Sequence, residues 1–295
     1  MGYDYKMCCN DIQKFSEDFP ECETGIIGKS VMKKPIYYIR AGRGEKKLFV
    51  NCAHHGLEYL TAAFMMRFLR EYAGAAENGK MFDCDVPRLF RGVSLFAVPM
   101  VNPDGVDIAV NGLDVTNPYH QKLISMVGIH SFNKVWQSNV RGVDINHNYN
   151  AGWRAVKTAP DATKYSGPYS ESEPETKAVV DFVRNNDFDM LIAFHSQGGE
   201  IYYDFDGMQA ENSRRLAEEM AAVSGYAVSQ PEGSASFGGC KDWFIKEFGR
   251  SGFTVEMGRG INPLPCSVLP EIYEENARIL LTALSELCED GQKTE

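Results

Sequence analysis

The chain has 295 residues, 44% hydrophobic and 24% charged, which suits a globular protein with room for one large α/β domain or two ordinary ones. Forty acidic against thirty basic residues give a formal charge of −10, which argues against nucleic acid or an anionic membrane as the main partner. No apolar run approaches the ~20 residues needed to span a bilayer, and eight cysteines without a C-x-x-C pair are too dilute for a disulfide scaffold.

The N-terminus has no apolar core segment of the kind a signal peptide needs, and Lys6 stands where myristoylation would want Ser or Thr, so a cytoplasmic location is expected. Residues 7–18 read as a short helix; 36–40 and 47–52 read as strands separated by the turn Ala41-Gly42-Arg43-Gly44. The second of these runs ends on His54, His55 and Glu58. Leu60, Phe64, Phe68 and Tyr72 then recur every fourth residue, the pattern of a buried helix face, with Met65 and Met66 as core filler. Residues 74–87 read as a polar connection. Residues 93–101 form a β-rich run that ends in Asn102-Pro103-Asp104-Gly105, a turn signal. Residues 110–140 show no clean period and read as a long excursion with short helices, and connections of that length are usually functional.

Further on, Ser172-Glu173-Pro174-Glu175 reads as a capping box opening a helix through Val179, Phe182 and Val183. The apolar run 189–194 ends on His195. An amphipathic helix over 210–224, a small-residue loop over 234–239 and a helix from Asp242 follow. The run Phe253-Thr254-Val255 ends on Glu256, and Tyr273 to Leu287 mark a terminal helix. Cys52 and Cys240 fall in buried stretches and are expected as plain thiols. Strands alternating with helices, without a repeat or a dividing linker, predict one α/β domain with a mostly parallel or mixed sheet.

Three apolar strands thus end on residues able to bind a metal or a proton: His55 with Glu58, His195, and Glu256. In open α/β sheets ligands bind beyond the carboxyl ends of the strands, so the three endings would meet at one edge. Two imidazoles and a carboxylate suit Zn²⁺ with one position left open, and a further carboxylate beside it suits a general base. Chemistry alone leaves His54 and His55 interchangeable as the ligand.

In order, His55-Gly56-Leu57-Glu58, Asn102-Pro103-Asp104-Gly105, Gly142-Val143-Asp144-Ile145-Asn146, Ser172-Glu173-Pro174-Glu175, His195-Ser196-Gln197-Gly198 and Phe253-Thr254-Val255-Glu256 resemble the motifs of the zinc carboxypeptidase (M14-type) family over roughly residues 20–290. The resemblance implies a single catalytic domain over 1–295 without a separate prodomain, built on a mixed eight-stranded sheet flanked by helices. It also implies one Zn²⁺ per chain on His55, Glu58 and His195, with Glu256 as the base. Trp136 followed by Arg141 resembles the segment that carries the family's oxyanion-stabilising arginine, a role suited to a fixed, always charged fork.

The departures concern the substrate. The Asn-Arg pair that grips a terminal carboxylate in the digestive enzymes reads Asn146-His147 here. The arginine usually found between the first two ligands is Leu57, and the position of the family's mobile tyrosine falls on Ser234. The pocket-floor position falls on Lys241, which would pair with an anionic group unless it is a solvated helix-start lysine. The stretches from Asn146 to Trp153, His195 to Tyr202 and Asn262 to Pro265 resemble the bacterial branch that cleaves the γ-D-glutamyl bond to a diamino acid, typically meso-diaminopimelate. A small muropeptide is then the expected substrate. An ordinary carboxypeptidase or N-acyl amino acid hydrolase, with His147 holding the carboxylate, and a non-catalytic binder of wall fragments are the rival readings.

Overall fold

A computed structural model describes residues 2–233 and 237–292, so Ser234 lies outside the described residues. The chain enters through α1 (Tyr5–Asp18), then β1 (Glu23–Lys29), β2 (Pro35–Ala41), β3 (Lys46–Cys52) and α2 (Tyr59–Gly74). A separate small hairpin, β4 (Lys80–Met81) and β5 (Cys84–Asp85), and α3 (Val86–Gly92) lead into β6 (Val93–Val98) and α4 (Pro103–Asn111). The excursion holds α5 (His120–Val127) and α6 (Phe132–Val135). It is followed by α7 (Pro174–Asn186), β7 (Met190–His195), β8 (Glu200–Tyr202), α8 (Ser213–Ser224), β9 (Ala227–Val228), α9 (Cys240–Phe248), β10 (Ser251–Glu256) and α10 (Leu269–Gln292).

Eight strands form one mixed sheet in the order β1-β2-β6-β3-β7-β10-β8-β9. Its four central strands, β6, β3, β7 and β10, run parallel. β6 and β7 are buried at every position and β3 from Leu48 on, which is why these read as mainly apolar runs, while β10 is half-buried at Ser251, Thr254 and Glu256. Along β3 and β7, Leu48, Val50, Ile192 and Phe194 pack with α2 and α10 residues such as Phe64 and Leu280. The alternate Phe49 and Leu191 pack with Val179 of α7 and Phe244 of α9 on the other face. This two-sided burial, at roughly 25 cal/mol per Å² of apolar area, is what fixes the strands' register.

Three strands of this sheet escape the sequence reading, and all lie toward its margins. Strand β1 is largely exposed along the edge, while β8 and β9 are three and two residues long. Two local expectations are corrected. Asn102 opens a helix instead of a turn: its side chain caps α4 by accepting from the Gly105 N–H at 2.9 Å, with Pro103 at the first helical position. The residue at the start of α7 is Glu173, without a side-chain cap; Ser172 instead hydrogen-bonds Glu173 and Asn148, and the buried Glu175 accepts from the Val31 N–H. The connection over 74–87 is also more ordered than expected, since it contains the hairpin and the start of α3.

Register sets the functional edge. Cys52 pairs with Phe194, and Glu256 with His195, so β3, β7 and β10 end within about a residue of one another. Immediately after β3, Ala53 takes a left-handed conformation (φ 52°) and Gly56 passes between two other segments. A side-chain carbon at Gly56 would lie 2.4 Å from the Gly105 carbonyl oxygen and 2.7 Å from that of Trp136. Both obstacles are backbone and neither can swing aside. Gly56→Ala should therefore destabilise the protein by about 1–3 kcal/mol, read as a fall of several degrees in Tm; an unchanged Tm would contradict this packing.

Candidate metal centre and active site

The turn after β3 is held by hydrogen bonds to its backbone. Asn102 donates to the His54 carbonyl at 2.9 Å, and the Gly56 N–H donates to the Gln137 carbonyl at 3.0 Å. Thr61, in the first turn of α2, accepts from the Ala53 N–H at 2.9 Å. Fixed in this way, the turn sends its two histidines to different neighbours. His54 is fully buried with Nε2 2.8 Å from the Tyr149 hydroxyl, its ring stacked 5.4 Å from that of His195. Burial, and then the His195 and His55 rings, push its pKa well below that of free imidazole, so it is a neutral structural residue.

His55, Glu58 and His195 converge, with one ligand-type atom from each all within 4.8 Å of one another. Glu58 sits between the imidazoles: Oε1 is 2.7 Å from Nδ1 of His55 and Oε2 is 2.9 Å from Nδ1 of His195. The far side of His55 is also held, with Nε2 3.0 Å from Asp144 Oδ1. Burial opposes a charge on His55, yet Glu58 and Asp144 on either side outweigh it and raise the imidazole's pKa well above its ordinary value. Burial likewise works against the Glu58 and Asp144 carboxylates, and the neighbouring imidazoles still bring both below the usual carboxylate range. The donor set fits Zn²⁺: two imidazole nitrogens and a carboxylate oxygen, gathered where a cation is electrostatically required, with the histidine backed by a carboxylate.

Glu256 follows from the register, one strand over from His195. Burial, then the Glu58 and Glu200 carboxylates, push its pKa well above that of a free carboxyl. Glu200, its partner on β8, is engaged by the Tyr202 hydroxyl at 2.5 Å and the Ser229 hydroxyl at 3.1 Å. Among the described residues Glu256 has no such partner, and its carboxyl lies within electrostatic reach of Glu58 and His55.

The other expected residues are placed differently. The Asn146 Oδ1 accepts from the Cys240 N–H at 3.1 Å, and His147 Nδ1 lies 3.3 Å from the Phe237 carbonyl, so both are tied to the segment that opens α9. His147 also lies 4.0 Å from Asp144, which links it to the back of the metal centre. Among the described residues Arg141 makes no contact with the ligand cluster; its side chain is 46% exposed and pairs with Glu173 at 3.4 Å. In that loop it is Gln137, directly after Trp136, whose backbone touches the ligand turn. Lys241 is 4% exposed and presents no free charge; its ammonium bonds the Asp204 carbonyl and pairs with Asp242 at 2.6 Å. Neither expectation is met: Lys241 is not a solvated helix-start lysine, and its charge is already paired within the protein.

Residues 9–279 match the model of the family described as zinc carboxypeptidase (Peptidase M14). The chain belongs to the zinc carboxypeptidase family. A curated relative, gamma-D-glutamyl-L-diamino acid endopeptidase 1 of Lysinibacillus sphaericus, is 36% identical over 288 residues, covering 96% of this chain and 72% of the relative. Among solved structures, thrombin activatable fibrinolysis inhibitor superposes with a TM-score of 0.79 at 21% identity, covering 98% of this chain and 75% of that one. Murein-tripeptide amidase MpaA from Escherichia coli O157 gives 0.58 at 21%, covering 88% and 91%. As a zinc carboxypeptidase-family member the chain is a zinc metallopeptidase, with the eight-stranded mixed sheet that its motifs implied.

Sequence reading gave Asp144 no role, although it lies in one of the quoted motifs. The only signal was an aspartate two residues before Asn146 in a stretch too polar for a core strand. Its geometry makes it the orienting partner of His55. Asp144→Asn should weaken zinc binding by about 10–100-fold in competition with a chelator, with the fold retained. Unchanged affinity would show that the Asp144–His55 contact does no work at the metal.

Proposed function

We propose that the chain hydrolyses the amide bond between a γ-D-glutamyl residue and a diamino acid in small peptidoglycan-derived peptides, diaminopimelate being the favoured leaving residue. The chemistry rests on one observation above all, the register that sets Glu256 beside His195 at the strand edge where His55 and Glu58 converge. The substrate class is supported by the L. sphaericus relative, whose identity extends over 96% of this chain. The eight cysteines, all free thiols, support a reducing compartment such as the cytoplasm. No helix among the described residues is long and apolar enough to cross a membrane.

When bound, zinc supplies Lewis-acid polarisation of the scissile carbonyl and eases deprotonation of water. The chain's own residues do the rest. His55, Glu58 and His195 hold the metal, and Asp144 fixes the ring of His55 through Nε2. The Glu256 carboxylate takes the proton of the attacking water and returns it to the nitrogen of the departing amine. Asn146 and His147, bound to the start of α9, shape the side from which the substrate's terminal portion enters.

The test is mass spectrometry of L-Ala-γ-D-Glu-meso-diaminopimelate with the zinc-loaded protein and its Glu256→Gln variant. Free diaminopimelate should appear with the first, and the variant should be slower by about 10²–10⁴-fold at unchanged zinc content. Absence of cleavage, alongside turnover of an ordinary C-terminal peptide, would replace the substrate assignment. Undiminished activity in the variant would remove Glu256 from its role.

A further inference from the structure

A cavity of about 550 Å³ opens beside the start of α9, with Arg154, Asp204, Phe205, Asp206, Gln230 and Phe237 among its walls. Phe237 joins it to the metal centre: its ring lies 6.2 Å from that of His147, which stands behind the Asp144–His55 pair. The guanidinium of Arg154 lies 3.6 Å from the centroid of Phe237, laid over the ring and held by it.

Among the described residues, none of the charges in this cavity has an ion-pair partner. Arg154 has no ion pair among the described residues, and neither aspartate has a cationic partner. The Asp204 carboxylate receives only a long bond, 3.4 Å, from the Gln230 amide, and its Oδ1 has no partner. Asp206 is exposed. Lys241, the nearby cation that might have neutralised them, spends its ammonium on the Asp204 main-chain carbonyl and on Asp242. That lysine therefore fixes the wall carrying Asp204 without cancelling its charge.

A cavity with an unpaired guanidinium and unpaired carboxylates on its walls is matched by a ligand carrying both signs close together. An ammonium alone would leave Arg154 unsatisfied, and a carboxylate alone would leave the aspartates so. We propose that this cavity is a subsite for an amino-acid headgroup, an ammonium and a carboxylate on one carbon, at the far end of the leaving residue's side chain. Arg154 receives the carboxylate through its planar fork, and Asp204 with Asp206 receives the ammonium. The assignment rests on the proposed substrate class and refines it, because it selects a diamino acid with a zwitterionic far end over one, such as lysine, that ends in an amine.

The test measures calorimetric binding of γ-D-Glu-meso-diaminopimelate and γ-D-Glu-L-lysine to the zinc-loaded Glu256→Gln protein, with and without Arg154→Ala. Arg154 is exposed, so its replacement leaves the core untouched. The diaminopimelyl peptide should bind about tenfold or more tightly than the lysyl peptide, a preference like that of other paired-charge sites. Arg154→Ala should abolish that preference while leaving lysyl binding within about twofold. Equal binding of the two peptides, binding indifferent to Arg154, or no binding of either would overturn the subsite. Cleavage by the Glu256 enzyme separates the two readings. Turnover of the diaminopimelyl peptide with a KM indifferent to Arg154 removes the subsite and keeps the function. Arg154-dependent binding without turnover keeps the subsite and removes the function.

Discussion

The site is governed by charge compensation in a poorly hydrated place. Glu58, Asp144 and Glu256 bring three carboxylates to one sheet edge, against two imidazoles with ring nitrogens already committed to them. Buried carboxylates persist only when a cation or several donors face them. His55 shows the strain on that balance: held between Glu58 and Asp144, it is driven toward its protonated form despite burial. A divalent cation between His55, Glu58 and His195 answers the same demand and frees the imidazoles to act as neutral ligands.

The sheet exists, in functional terms, to hold those groups in register. Parallel pairing of β3, β7 and β10 leaves their carboxyl ends together, and hydrogen bonds with the Asn102 side-chain amide and the Gln137 carbonyl hold the turn that bears His55. The ligand turn is thus held by two remote segments and by Thr61 of the adjoining helix. Such support is what keeps ligand positions within the tolerance a metal and a base require. Asn146, His147 and Lys241 are instead tied to the start of α9 or to the loop facing it, and of these His147 also reaches toward Asp144 behind His55.

Much of this was legible in the sequence because burial on both faces leaves a plain record. The β3, β7 and β10 runs are mainly apolar before the residues that carry the chemistry, and the break in pattern at His55, His195 and Glu256 marks the edge. The edge strands left no such record; β1 is mostly exposed, and β8 is too short to show alternation. Asn102 read as a turn because the residues that start a turn also cap a helix, and only the chain beyond decides between them. Position alone could not say that Lys241 pairs with Asp242 or that Arg141 pairs with Glu173, since an ion pair is chosen in space. Nor could it show that Asp144 stands behind His55, from 89 residues away.

Anomalous diffraction at the zinc edge from crystals of the zinc-loaded protein identifies the metal's ligands directly. One peak is predicted per chain, about 2 Å from Nδ1 of His55, Nδ1 of His195 and a Glu58 oxygen, with Glu256 near but unbound. A peak on His54, on a cysteine, or anywhere away from the ends of β3 and β7 would contradict the account.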